Sequence, residues 1–177
     1  MGTTRCPLAL VCRVHTEPDG DDHTIPYTLG FTVTAPGTVA VGEEFEIVLA
    51  PDPLTFNPRI SSAVHDIALS FRVPGHARDV SHTLAGGEAA YTEPRGGSRL
   101  VLRVPGPLVP GTPFTLPTLR WTLCADGTGP VESGLAGGDF SDPAWSYRWS
   151  RERDAREGTV VGHVHPHRAL SRTLPAT

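Results

Sequence analysis

The sequence contains no lysine, and all 15 of its basic residues are arginine. They are outnumbered by 19 acidic residues, which gives a net charge of -4 at pH 7. Because affinity for phosphate backbones comes mostly from clustered positive charge, this balance argues against nucleic acid as a partner. Arginine without lysine, together with abundant alanine, glycine, proline and valine, is typical of a high-GC bacterial genome.

Long hydrophobic runs are also missing. The longest apolar run near the N-terminus is Pro7–Cys12, which is too short for the core of a signal peptide or for a membrane span. The cysteines number three, an odd count that fits reduced thiols better than a disulfide framework. These features predict a cytoplasmic protein with no membrane partner; the alternative is a secreted protein whose signal peptide lies outside this sequence.

No stretch shows the period of an amphipathic helix three turns long. Short segments instead alternate apolar and polar residues, and the 19 glycines and 18 prolines are spread between them. The clearest case is Ser98–Ala125, in which two strands are joined by Pro-Gly turns. We therefore predict an all-β fold, an antiparallel β-sandwich of the Ig-like or jelly-roll type, with a closed β-barrel as second choice. Residues 1–165 are expected to form one domain and 166–177 a loose C-terminal tail.

One predicted strand carries three large aromatic side chains on the same face: Trp145, Tyr147 and Trp149. Together with Trp121, they are candidate walls of a pocket for an apolar ligand, since such sites have aromatic and aliphatic walls with a few polar groups. The alternative is an ordinary core strand. The proline-rich segment Ala50–Ser62 is predicted to be a surface loop of the kind that often carries function.

Four polar residues are candidates for moving a proton or polarising a carbonyl group: His65, Asp66, Arg72 and Tyr91. His65 and Asp66 are adjacent on a predicted strand, so their side chains point to opposite faces and do not form a dyad by themselves. The alternative is that all four are ordinary surface residues.

The spacing of His163, His165 and His167 would place three imidazoles on one face of a strand, where they could bind Zn²⁺ or Fe²⁺. Pro166 opposes a regular strand there, and no acidic residue follows the histidines. They are weak metal candidates, and no metal or other cofactor is predicted. Asp139 and Asp142 are read as parts of a turn and not as a Ca²⁺ site.

The middle of the chain resembles a family of actinobacterial, mostly exported β-sandwich proteins of unassigned activity. The similarity lies in the segments HTLAGG (82–87), RLVLRVPGPLVPGTPFTLPTLRWTL (99–123) and SGLAGGDFSDPAWSYRW (133–149), within about residues 25–150. These are mostly turn and core residues, so the resemblance implies a fold more than a function. The chain departs from the family because it lacks an export signal and a late cysteine, which suggests an intracellular member.

Three functions follow as hypotheses. The first is binding of an apolar small molecule, polyketide- or lipid-like, with the protein acting as a natural-product cyclase or isomerase if it is an enzyme at all. Such catalysis works by folding the substrate and needs no cofactor. The second is a non-catalytic interaction or structural domain, and the third is a metal enzyme. A homodimer is left open.

Overall fold

The computed structural model describes residues 1–176, and within them the chain forms thirteen β-strands and one short 3-10 turn, Glu152–Asp154. Glycine and proline residues separate most of the strands, as the sequence predicted. The strands are β1 (Gly2–Glu17), β2 (Asp21–Ala35), β3 (Thr38–Val39), β4 (Glu44–Pro51), β5 (Ala63–Arg72), β6 (Ala77–Ala85), β7 (Tyr91–Arg95), β8 (Arg99–Val104), β9 (Thr118–Ala125), β10 (Val131–Leu135), β11 (Trp145–Arg151), β12 (Arg156–Val164) and β13 (Ser171–Pro175).

The strands join into one sheet in the order β3-β13-β10-β5-β11-β12-β1-β2-β4-β9-β6, with β8 on β5 and β7 on β8. All pairs are antiparallel except β13 with β3. In a flat sheet β2 and β5 would be about 19 Å apart, four strand spacings. The rings of Phe31 on β2 and Phe71 on β5 are nevertheless only 6.2 Å apart, edge to face. The sheet therefore folds over on itself, which confirms the predicted all-β sandwich.

The sheet does not close into a barrel, because its path ends at β6 on one side and at β3 on the other, and the branch from β5 through β8 ends at β7. Side chains connect β6 to β7: the imidazole Nε2 of His82 lies 2.9 Å from the hydroxyl of Thr92. Beneath them the indole N–H of Trp121 donates a 2.9 Å hydrogen bond to Asp79. Polar contacts take the place of a backbone ladder along this seam.

The two strands predicted in Ser98–Ala125 are β8 and β9; β8 pairs with β5 and β7, whereas β9 pairs with β4 and β6. One expectation needs correction. The C-terminal segment is not a loose tail, because β13 pairs with β10 and β3. Its Thr173 is buried and donates to the carbonyl of Pro36. The prolines that suggested a tail, Pro166 and Pro175, lie outside and at the end of this strand.

The inner face of β12 is shaped by two glycines. Residues opposite each other in antiparallel strands share a face, so Gly158 lies in one row with Trp149 of β11 and Thr16 of β1. A Cβ atom on Gly158 would approach the Trp149 ring to 2.8 Å and would collide with the backbone carbonyl of His15. The second glycine, Gly162, leaves room in the same way for the Cys12 thiol. Both positions are small because neighbouring groups occupy the space.

Replacing Gly158 with alanine should destabilise the protein by about 1–3 kcal/mol, since the backbone of β1 and the indole of Trp149 must both move. The matched control is Gly138→Ala, at an exposed glycine where a Cβ atom would meet nothing within 4 Å. Urea unfolding of both variants measures the difference. Equal stability of the two variants would contradict the packing described for β12.

Candidate functional site

A cavity of about 480 Å³ lies between the inner face of the sheet and the segment 52–62, which connects β4 to β5. The walls come from β1, β2, β11 and β12, close to the turns that join β1 to β2 and β11 to β12. The volume falls in the range of small-molecule sites. The lining residues are Val14, Thr16, His23, Ile25, Tyr27, Thr55, Phe56, Asn57, Ile60, Ser61, Tyr147, Trp149, Arg151, Arg156 and Val160.

The segment 52–62 forms the roof of the cavity, and it is fixed at both ends. Leu54 and Phe114 exchange backbone hydrogen bonds of 2.8 and 3.0 Å. At the other end the Ser62 amide donates to the Ser150 carbonyl at 2.7 Å, and the Ser62 hydroxyl accepts from the Glu152 amide at 3.1 Å. The loop predicted at Ala50–Ser62 is thus a loop over residues 52–62, and it is tied to the strands on both sides.

Aromatic rings make up most of the deep wall. The ring of Phe56, from the roof, lies 4.9 Å from that of Tyr147 in an edge-to-face contact and 5.3 Å from that of Phe114 in a stacked one. Tyr147 in turn contacts Trp145 at 5.7 Å. These centroid distances lie within the favourable range for aromatic pairs. The rings therefore hold one another in place around the cavity.

The mouth is polar and carries arginine–aspartate pairs. Arg151 donates two 2.8 Å hydrogen bonds to the carboxylate of Asp154, and its guanidinium lies 5.8 Å from the Trp149 ring. Arg156 pairs with Asp19 at 2.8 Å. The hydrogen bond from Arg151 lowers the pKa of Asp154 below its ordinary value, so this carboxylate stays charged. Each guanidinium at the mouth therefore has its charge balanced by a neighbouring carboxylate.

Burial also shifts the pKa values of groups deeper in the wall. It raises the pKa of the Tyr147 phenol far above its ordinary value and raises that of Tyr27 as well. Burial raises the pKa of the nearby Cys12 thiol to about 11. All three groups are consequently neutral at physiological pH, and both phenols keep their O–H hydrogens.

Of the four aromatic candidates from the sequence, two line the cavity and two lie in the core. Tyr147 and Trp149 line the cavity. Trp145 and Trp121 are almost completely buried and are not among the residues of the cavity wall. Trp145 stacks on Tyr27 with ring centroids 6.3 Å apart. It belongs to the core behind the wall and supports Tyr27 there.

The four candidate polar residues are not brought together. His65 and Arg72 are seven residues apart on β5, which corresponds to about 23 Å along a strand. Asp66 has a left-handed backbone (φ 52°) and is exposed, with its carboxylate 3.6 Å from Arg148. Tyr91 lies on β7 and its side chain is half exposed. None of the four lines the cavity, and they form no common site.

The three histidines near the C-terminus do not converge either. The rings of His163 and His165 are 6.4 Å apart, and His163 packs edge-on against Phe140 at 5.1 Å. Within residues 1–176, no group of three or more His, Cys, Asp or Glu side chains is placed to hold a metal ion. Asp139 caps a turn, as predicted, by accepting from the amides of Ser141 and Asp142.

A second cleft of about 480 Å³ lies beside Arg5 and Asp52. It is crossed by a 2.8 Å ion pair between those two residues, and Tyr27 is its only aromatic lining residue. The cavity under the roof is richer in rings, so it is the better candidate for an apolar ligand.

Sequence reasoning missed part of the cavity wall. Ile25, Tyr27 and Phe56 were not among the predicted site residues. Tyr27 belongs to the inward-facing row of a strand that the sequence predicts, and the same alternation extended back along β2 would have added Ile25. No local pattern could have placed Phe56 over Tyr147, because this contact depends on the folding-over of the sheet.

Comparisons with known proteins add information on the fold alone. No protein-family model and no curated protein matches the sequence. Among solved structures, the chain is similar to a putative membrane anchored protein from Corynebacterium diphtheriae, with a TM-score of 0.58 and 9% sequence identity. The match covers 98% of this chain and 38% of that protein, so the chain spans well under half of its structural neighbour.

No helix among the described residues is long and apolar enough to cross a bilayer.

The ionisation of Tyr147 should be measurable in the stability of the protein. Its pKa is raised on folding, so the unfolded state loses the phenol proton first, and stability must fall as the pH rises above about 10. Tyr147→Phe should reduce the loss between pH 9 and 11.5 by about 1–2 kcal/mol, measured by urea unfolding. Parallel losses in variant and wild type would show that the phenol is not buried as described.

Proposed function

We propose that the protein binds an apolar small molecule in the cavity beneath the 52–62 segment. The observation that supports this most directly is the wall itself, in which Phe56, Tyr147 and Trp149 surround about 480 Å³ of space. Small-molecule sites have this composition, with mostly apolar walls and a few polar groups that fix orientation. The polar groups here include Arg151 and Arg156 at the mouth and the phenols of Tyr27 and Tyr147 in the wall.

The anchoring of the roof supports the same proposal. A loop that is hydrogen-bonded to the strands at both ends loses little further freedom when a ligand enters. Preorganisation of this kind increases affinity by lowering the entropic cost of binding. The contacts between Phe56, Phe114 and Tyr147 add to it, because the rings already occupy their places in the free protein.

More specifically, we propose that the ligand is polyketide- or lipid-like and that the protein acts on it as a cyclase or isomerase. No paired nucleophile and base lies on the cavity wall, so the chemistry would be the folding and orientation of a flexible substrate. Tyr27 and Tyr147 would supply protons or hydrogen bonds, in place of the four polar candidates that the sequence suggested. Biosynthesis of a natural product by an actinobacterium is the setting that fits this reading.

A non-catalytic interaction domain is the second candidate. Its support is the neighbour from Corynebacterium diphtheriae, which is described as membrane anchored and of which this fold makes up 38%. A module that forms a minor part of a longer surface protein commonly serves to bind or to space other domains. In that case the cavity would have no ligand, and the exposed surface would carry the function.

For the compartment we propose a reducing environment. Cys6, Cys12 and Cys124 are all buried and unpaired. Cys6 and Cys12 are six residues apart on β1, about 20 Å along the strand, which is far beyond the reach of a disulfide. Three buried thiols are typical of cytosolic proteins, and a cytoplasmic location is the simplest form of this proposal.

The binding proposal can be tested by blocking the cavity. Ile25 lines it from β2, so Ile25→Trp should place an indole inside and weaken the binding of nile red, an apolar fluorescent dye, by at least about tenfold. Thr24→Trp is the matched control, because the neighbouring side chain is exposed on the opposite face of the same strand. Dye fluorescence and the emission of Trp149 are the two readouts.

Wild type and the Thr24 variant should bind the dye, and the Ile25 variant should not. Equal binding by all three proteins would place the dye elsewhere. Failure of the wild type to bind nile red, together with unchanged tryptophan emission in the presence of linear polyketides, would favour the interaction domain.

A further inference from the structure

We infer that the cavity takes a planar ring compound that carries carbonyl or other acceptor oxygens, bound in its uncharged form. This inference rests on the proposed function and narrows it, because it distinguishes an oxygenated ring system from a plain hydrocarbon or an alkyl chain. It is based on the hydrogen-bonding groups of the wall, on the charge at the mouth and on the shape of the aromatic surfaces.

Two phenol groups in the wall have no protein partner. Within residues 1–176, neither the hydroxyl of Tyr27 nor that of Tyr147 makes a hydrogen bond to another residue, and neither oxygen is completely enclosed by protein atoms. Both side chains are otherwise largely buried. Because both oxygens are open to the cavity, water in the free protein, or a ligand that displaces it, can serve as the hydrogen-bond partner there.

Two further groups on the wall are donors only. The indole N–H of Trp149 has no hydrogen-bond partner among the described residues, although the side chain is only 7% exposed. Arg151 uses Nε and Nη2 for Asp154, which leaves the hydrogens of Nη1 uncommitted. Neither an indole nor a guanidinium can accept a hydrogen bond. The other polar side chains of the described lining can both donate and accept: Thr16, His23, Thr55, Asn57 and Ser61. No side chain there can only accept, so the two donor-only groups have no fixed acceptor in the wall.

Acidic groups are absent from the described lining of the cavity, since no Asp or Glu side chain is part of it. At the mouth, Asp154 pairs with Arg151 and Asp19 pairs with Arg156, so the positive charge of each guanidinium is balanced. A ligand with a full negative charge would therefore gain little net attraction. A neutral acceptor such as a ketone oxygen satisfies the donors without this conflict, because it needs hydrogen bonds and no counter-charge.

The shape of the wall favours a ring over a chain. Phe56 and Tyr147 meet edge to face, and the indole of Trp149 lines the same cavity. Flat surfaces at these angles offer stacking and edge contacts to another ring, which are worth more than the buried area alone. A planar ligand can use them at several points, whereas an alkyl chain cannot.

The test compares 9-fluorenone with fluorene, two flat three-ring compounds that differ by one carbonyl oxygen. Binding to wild type and to Tyr147→Phe is measured by equilibrium dialysis. Wild type should bind fluorenone about tenfold more tightly than fluorene, as expected for one well-placed hydrogen bond. Tyr147→Phe should remove most of this preference, measured as the ratio of the two affinities in the same variant. Tyr27→Phe is the second variant, and it keeps the test decisive if the first one folds poorly.

The possible outcomes distinguish this inference from the proposed function, the binding of an apolar small molecule. Tight binding of both compounds, with no loss of preference in either variant, would overturn the donor argument and leave apolar binding intact. Decanoic acid, which has an alkyl chain in place of rings, is the third compound. If it bound more tightly than fluorenone, the preference for rings would be overturned. No binding of any of the three compounds would overturn the proposed function and the inference together.

Discussion

The packing of the Trp149 indole over Gly158 determines the shape of the inner face, because no other residue type fits at that position of β12. With a side chain there, the indole and the backbone of β1 would have to separate. Gly162 and Cys12 form a second row of small groups between β11 and β2. Over this row Trp145 and Tyr27 stack at 6.3 Å, although three strand spacings would keep them about 14 Å apart in a flat sheet.

From this curvature the rest of the site follows. Because β11 and β2 approach each other, their aromatic side chains can share one concave surface, and the anchored segment 52–62 closes it with Phe56. The hairpin turns bring Arg151, Arg156 and their aspartate partners to the open end. Aromatic surface and hydrogen-bond donors thereby line one cavity, which is the arrangement an oxygenated ring ligand would use.

The sequence was informative where burial follows a period of two. Leu8, Leu10 and Cys12 are buried and alternate with more exposed neighbours, and the strands built on such patterns were predicted correctly. Periodicity could not show which strands pair, so Trp121 and Trp145 resembled Trp149 in the sequence although they lie in the core. The same limit applied to His65, Arg72 and Tyr91, because the sequence does not show how far apart these residues lie in the folded sheet. The strand β13 was missed because two prolines bracket a short pattern that only its partners β10 and β3 stabilise.

The central claim is that a preformed, ring-lined cavity receives an oxygenated planar ligand. A crystal structure of the protein soaked with 9-fluorenone addresses it most directly. The account predicts a ligand ring between Phe56 and Trp149, with its oxygen within hydrogen-bonding distance of the Tyr147 or Tyr27 hydroxyl and the Trp149 indole still over Gly158. A cavity filled by the Trp149 side chain itself, or a ligand bound only outside the roof, would contradict it.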